Sequence, residues 1–361
     1  MADYIDEFRD KEVIKKIAEG ISEYKGPDIK IMEVCGTHTM AISRYGLRTL
    51  LPDSIELLSG PGCPVCVTPT SYIDSALELA DNKDIIITTF GDMMRIPGND
   101  STLLYKRAQG CNVQMVYSPL NAVDLARDNP DKEVVFLSVG FETTTPVIAL
   151  SIYKAEREKI KNFSVLTANK TMPEAVKTLA GDGELAIDGF IYPGHVAAII
   201  GTDFFSQVAY NMKKAGVVAG FEPLDILYSI NVLVKNITEG NIILENMYSR
   251  IVTKEGNTKA QNKMYEVFEA ADAVWRGIGM IQNSGLALRP EYERFDASKR
   301  FGIKLKNSPE PKGCLCGEVL RGKKKPPDCK LFKNGCTPEN PVGACMVSSE
   351  GTCAAYYKYG G

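Results

Sequence analysis

The chain has 361 residues, 44% hydrophobic and 24% charged, the makeup of a soluble globular protein with room for more than one domain. Lys plus Arg total 42 against 45 for Asp plus Glu, so no cationic surplus exists to meet a phosphate backbone, which argues against nucleic acid as a partner. No apolar run approaches the roughly 20 residues that span a bilayer, and the charged N-terminus lacks a signal-peptide core, so a cytoplasmic protein without membrane contact is expected.

The opening "MADYIDEFRDKEVIKKIAEG" reads as an amphipathic helix, and residues 1–27 are expected to pack on the rest. From residue 28 to about 230, short β-branched runs alternate with helical stretches, the pattern of doubly wound α/β folds. The candidate strands are "IKIMEVC", "IELLSG", "DIIITTF" and "NVQMVYS", then "EVVFLSV", "FSVLTA", "GFIYP" and "GVVAGF". Taken in chain order they make two sets of four, predicting two similar Rossmann-like α/β domains, 28–125 and 126–235. Ligands in such sheets bind outside the carboxyl ends of strands, so the loops "CGTHTM", "GPGCPVC", "FGDMMRIPG", "GFETTTP", "NKTMP", "PGH" and "GFEPLD" are expected to line a central cleft. The tripeptide "GFE" recurs, at Gly140–Glu142 and Gly220–Glu222. After residue 230 come longer amphipathic segments, "PLDILYSINVLVKNI" continuing from the last strand and "NKMYEVFEAADAVW" further on, and beyond residue 290 a Lys-, Gly-, Pro- and Cys-rich tail. Residues 236–361 are expected to form a third, mixed or helical domain.

Cysteine usage carries the strongest chemical signal. In a reducing compartment, clustered cysteines bind metal or do redox work more often than they staple a fold. Six of the ten fall in 40 residues, Cys314 to Cys353. That tail holds no histidine and lacks the paired C-x-x-C of a zinc site, whereas an iron–sulfur cluster needs four thiolates and tolerates irregular spacing. Cys314, Cys329, Cys336 and Cys353, with fourteen, six and sixteen residues between them, suit it. Spacing alone equally allows Cys316, Cys329, Cys336 and Cys345. In "SGPGCPVCVTP", Cys63 and Cys66 form a C-x-x-C dithiol stiffened by proline, which suits cycling between dithiol and disulfide. Half of a zinc site is the plainer alternative, and Cys111 is expected in the core.

Cys35 ends the first strand with His38 three residues on, so a turn into a helix lets both face one metal. Asp92 and Arg95 are candidates for pairing or for holding a ligand, Arg being a multidentate anion donor. Glu142, Thr143, Thr144 and Thr145 offer caps for the helix that follows. His195 ends a strand and faces either cleft or core, Glu222 is read in the same two ways, and Glu350 stands beside the tail cysteines as a proton shuttle or a solvating charge. No P-loop and no G-x-G-x-x-G follows a strand, so neither ATP nor a dinucleotide has its usual cradle.

Taken together, "CGTHTM", "GPGCPVCVTP", "FGDMMRIPG", "GFETTTP", "PGHVAAIIG", "GFEPLDIL" and "CMVSSEGTCAAYY" resemble the HypD family of hydrogenase maturation factors, end to end. The resemblance implies two similar α/β domains and a third carrying a [4Fe–4S] cluster. It implies a scaffold, formed with HypC, on which the Fe(CN)2CO unit of [NiFe]-hydrogenase is assembled, with cyanide from HypE and, upstream, HypF. The hydrogenase large subunit is then an indirect partner. On that basis Cys35 binds iron together with a cysteine of HypC, with His38 as a neighbouring or direct partner. Such a protein is an assembly scaffold with redox activity more than a conventional turnover enzyme. The alternative from the residues themselves is an iron–sulfur thiol/disulfide oxidoreductase acting on a small molecule through Cys63 and Cys66.

Overall fold

The computed structural model describes residues 6–304 and 308–360. Eleven strands occur among them: β1 (Ile29–Glu33), β2 (Ile55–Ser59), β3 (Ile85–Thr89), β4 (Val113–Met115), β5 (Glu133–Ser138), β6 (Phe163–Thr167), β7 (Gly189–Pro193), β8 (Ala215–Ala219), β9 (Leu244–Asn246), β10 (Phe268–Trp275) and β11 (Gly279–Leu288). They form a parallel five-stranded sheet in the order β2-β1-β7-β8-β9, a parallel four-stranded sheet in the order β4-β3-β5-β6, and an antiparallel hairpin β10-β11. The α/β class with parallel sheets is as the sequence predicts.

The grouping of strands is not. The blocks 28–125 and 126–235 do not coincide with the sheets, because each contributes strands to both. The chain leaves the first sheet after β2, builds the whole second sheet from β3 to β6, and returns at β7. Strands buried on both faces all read as continuous apolar runs, so their pattern reports burial and not pairing. Leu244–Asn246 also joins the first sheet beyond residue 235, as a three-residue edge strand too short to stand out.

Apolar side chains cover both faces of each sheet. Ile85, Ile87, Val135 and Leu137 pack on one side of the four-stranded sheet, Ile86, Val134, Phe136 and Val165 on the other. On the five-stranded sheet, Ile31, Leu57 and Val217 face one way, while Met32, Leu58 and Val218 face a core that also contains Cys63, Cys66, Cys316, Cys345 and Trp275. The N-terminal helix Lys11–Ser22, capped by Asp10, buries Ala18 and Ile21 and lays Ile14 and Ile17 against the first of these faces. Residues 1–5 lie outside the described residues.

The segment "NKMYEVFEAADAVW" is only half helical. Thr258–Val267 is helix, but Phe268–Trp275 is a strand whose burial alternates residue by residue. Pairing with β11 overrides the helical preference of the Glu and Ala residues there. From Cys314 on, the chain is a series of short turns ending in the helix Thr352–Tyr359. No helix among the described residues is long and apolar enough to cross a membrane.

Candidate functional site

The carboxyl ends of β1, β7 and β8 bring three groups together. Cys35 follows β1 and heads the helix Gly36–Arg44, with its sulfur 3.9 Å from Nδ1 of His195. His195 is the second residue of the helix Gly194–Ile200 that follows β7. His38, in the first turn of Gly36–Arg44, reaches the carbonyl of Gly220 beyond β8 with Nε2 at 2.8 Å. A carbonyl only accepts, so Nε2 carries the proton and Nδ1 keeps a lone pair. That Nδ1 is buried without a partner. The Phe221 ring lies 4.9 Å from the His38 ring and 5.2 Å from the His195 ring, centroid to centroid. These are the chain's two histidines.

Burial sets the protonation of this cluster. It lowers His38 and His195 to about 4, so both are neutral near pH 7 and able to offer a lone pair. It pushes the Cys35 thiol up, against the stabilising backbone N–H of His38. The sulfur therefore keeps its proton, which a metal binding there would have to displace. Glu33, unnoticed in the sequence reading, accepts the Cys35 N–H at 3.2 Å and the Thr39 hydroxyl, and burial raises its carboxyl to about 7. The signal for it was available: an acidic residue set among the apolar ones at the end of the strand "IKIMEVC".

The loop that carries the dithiol is pressed onto Cys35. Gly60 N–H donates to Glu33 O at 2.8 Å, and Gly36 N–H to Gly62 O at 3.0 Å. A Cβ on Gly62 would stand 2.3 Å from the Cys35 nitrogen, and one on Gly36 would stand 2.6 Å from Glu350 Cβ and 3.3 Å from Cys63 Cβ. Only glycine permits these approaches. Glu350 accepts the Thr37 hydroxyl at 2.6 Å, so a tail residue closes the site beside Cys35 and Cys63. Cys66 donates its N–H to Cys63 Sγ at 3.3 Å, and its own sulfur lies 3.8 Å from Ala344 O and in contact with Cys345. Cys345 in turn meets Cys316, sulfur to sulfur, at 2.9 Å. Four sulfurs thus run in file from the Cys35 site into the tail.

All six tail cysteines line one apolar cavity with Leu331, Phe332 and Met346 among its walls. Among the described residues no three His, Cys, Asp or Glu converge as a single ion requires. A cluster spreads its thiolates around several irons, so a ring of sulfurs about a small cavity is the donor set it takes. Backbone fits closely there too: Val342 N–H donates to Cys336 Sγ at 3.3 Å, and a Cβ on Gly343 would fall 2.7 Å from Cys314 Sγ.

The remaining candidates are structural in their contacts. Arg95 donates to the Val347 carbonyl at 3.1 Å and the Pro338 carbonyl at 3.5 Å, fastening the tail to the loop after β3; among the described residues it makes no ion pair with Asp92, which is half-buried. Glu142 accepts Met172 N–H at 2.8 Å, so it serves the helix Met172–Ala180 and not the one that follows it in sequence. Thr144 is the N-cap of Thr145–Arg157 without a side-chain bond, and the Thr145 hydroxyl donates to Phe141 O at 3.0 Å; Thr143 is exposed. Glu222 caps Pro223–Glu239 and pairs with Arg9. Cys111 is half-buried against the core under the four-stranded sheet.

Comparison with known proteins agrees over the length of the chain. The family model described as "HypD: Hydrogenase formation hypA family" matches residues 10–360. The chain is 46% identical to "Hydrogenase maturation factor HypD" of Azotobacter vinelandii, over 99% of this chain and 97% of that one. The protein of the same name from Cupriavidus necator is likewise 46% identical over 99% and 97%, and that of Rhodobacter capsulatus is 44% identical over 99% and 98%.

Proposed function

The chain belongs to the HypD family, and from that membership we propose that it is a hydrogenase maturation factor which, with HypC, holds the iron on which Fe(CN)2CO is assembled. The observation that carries this reading is the buried sulfur of Cys35, beside a neutral His195 at 3.9 Å and near a neutral His38 with a bare Nδ1. Low-spin iron bearing cyanide and carbon monoxide is soft and takes thiolate readily. One thiolate is too few, so the site is completed by a donor from elsewhere, which suits a cysteine of HypC. Binding releases the Cys35 proton, and Glu33 and Glu350 are the carboxyl groups nearest that backbone to receive it.

The six tail cysteines fit a [4Fe–4S] cluster, which when bound supplies single electrons at low potential. Cys314, Cys329, Cys336 and Cys353 are the four proposed to hold it, with Cys316 and Cys345, whose sulfurs lie 2.9 Å apart, as alternates. Cys63 and Cys66 release two electrons and two protons on closing to a disulfide, and Cys345 and Cys316 connect them with the tail. HypE delivers cyanide, with HypF upstream, and the hydrogenase large subunit receives the finished unit. The cytoplasm is the compartment proposed for this work.

The test is infrared spectroscopy of anaerobically purified protein co-expressed with HypC, HypE and HypF, comparing the wild type with Cys35→Ala. Cyanide and carbon monoxide stretching bands in the wild type that vanish in the variant are expected. Bands that survive in Cys35→Ala would overturn the placement of the iron at Cys35; a wild type without them although its tail iron and sulfide are intact would overturn the scaffold reading and favour the thiol/disulfide oxidoreductase.

A further inference from the structure

A cavity of about 690 Å³, within the usual size of small-molecule sites, opens beyond the carboxyl end of β6 and is walled by the β10-β11 hairpin. Its hydrogen-bond donors outnumber what they have to donate to. The Arg276 side chain, 1% exposed, donates from Nε to Thr68 O at 2.9 Å and from Nη1 to Glu310 at 2.7 Å, while Nη2 is buried without a partner. Lys170, 2% exposed, finds only the Ala168 carbonyl at 3.4 Å and the Trp275 ring at 5.9 Å; among the described residues no carboxylate pairs with it. Burial without a counter-charge lowers it to about 7. Thr70 lines the same cavity with its hydroxyl buried and unpartnered, and it begins the helix Thr70–Ala80, whose first N–H groups have no acceptor within the helix. Two carboxylates stand at the rim: Glu310, 44% exposed, and the exposed Asp272, which accepts the Asn283 N–H. Trp275, Ile278 and Leu286 supply an apolar wall.

We propose that this cavity binds a small organic anion, its carboxylate or phosphate head held by Lys170, Arg276 and the start of Thr70–Ala80, its apolar body against Trp275. An unpaired buried ammonium and a spare guanidinium N–H are costly unless something charged and acceptor-rich meets them. The occupant adjoins the dithiol loop, because Arg276 also donates its backbone N–H to Val67 at 2.9 Å, next to Cys66.

Trp275 is the chain's single tryptophan, so its fluorescence reports on the cavity in the full-length protein. The probes are benzoate, phenyl phosphate and inorganic phosphate, titrated separately and then with phosphate in competition. A saturable change with benzoate or phenyl phosphate is expected, and which of the two binds more tightly identifies the head. Lys170→Met should weaken that binding on the order of tenfold or more, the loss of one charge-assisted hydrogen bond. Absence of saturation by any probe up to about 10 mM, or unchanged affinity in Lys170→Met, overturns the proposal. If circular dichroism shows Lys170→Met unfolded, the near-isosteric Thr70→Val decides: several-fold weaker binding supports the site and unchanged affinity overturns it.

Discussion

Four buried titratable side chains, two carboxyls and two imidazoles, sit at or just beyond the carboxyl ends of β1, β5 and β7, and their pH responses oppose one another. Glu33 and Glu142 are raised by burial from 4.5 to about 7. Their protonated forms contribute stability present below pH 4.5 and lost as pH rises through about 7. His38 and His195, lowered from 6.5 to about 4, contribute stability present above pH 6.5 and lost as pH falls through about 4. Between those limits the two pairs largely offset, so the folded state should tolerate mild acid. Removing one member exposes the balance. Glu142→Gln keeps an oxygen for the Met172 N–H and discards the carboxyl, so its stability relative to wild type should rise by about 3 kcal/mol between pH 4.5 and 7, read from urea unfolding at several pH values. A pH-independent difference would show that Glu142 is ionised throughout. Glu142 was visible in the sequence as a carboxylate after a strand, but not the helix it serves, since Met172 lies thirty residues away.

At the scale of elements, the site is made by loops that touch, and glycines decide how closely. Gly62 lies against the Cys35 backbone, so Gly62→Ala forces the loop away and should cost about 1–3 kcal/mol, measured by chemical denaturation. The same substitution should abolish the infrared bands expected of the wild type; bands of undiminished intensity would mean that the loop is not needed to shape the proposed iron site. Arg95 performs the matching task between the four-stranded sheet and the tail. Arg95→Ala removes the bonds to Val347 and Pro338, and hydrogen exchange should quicken in residues 338–348 while the strand amides stay protected. Uniform protection would show that the cysteine-rich segment holds itself. The sequence suggested that Arg95 takes an anion or pairs with Asp92; its carbonyl partners lie some 250 residues away, beyond the reach of local patterning.

Across the whole molecule, the sulfurs Cys63, Cys66, Cys345 and Cys316 join the five-stranded sheet to the tail through one shared core. Mild oxidation followed by peptide mapping should yield Cys63–Cys66 and Cys316–Cys345 bridges in one population of molecules and, in a competing population, Cys66–Cys345 in place of both. Cys345→Ser should leave Cys63–Cys66 as the only bridge to Cys66; a mixture of unrelated pairings would argue against an ordered file. Residue type and local pattern were legible from composition and spacing alone: the C-x-x-C turn, the dense tail cysteines, Cys35 near a strand end, and the α/β alternation, because each reflects side-chain type or a period of a few residues. Pairing of distant strands, the meeting of His195 with Cys35, the closure by Glu350, and the donors left without acceptors around Lys170 and Arg276 were decided only by the tertiary structure. They depend on which surfaces are buried together, and a local hydrophobic period states that a face is buried without stating against what.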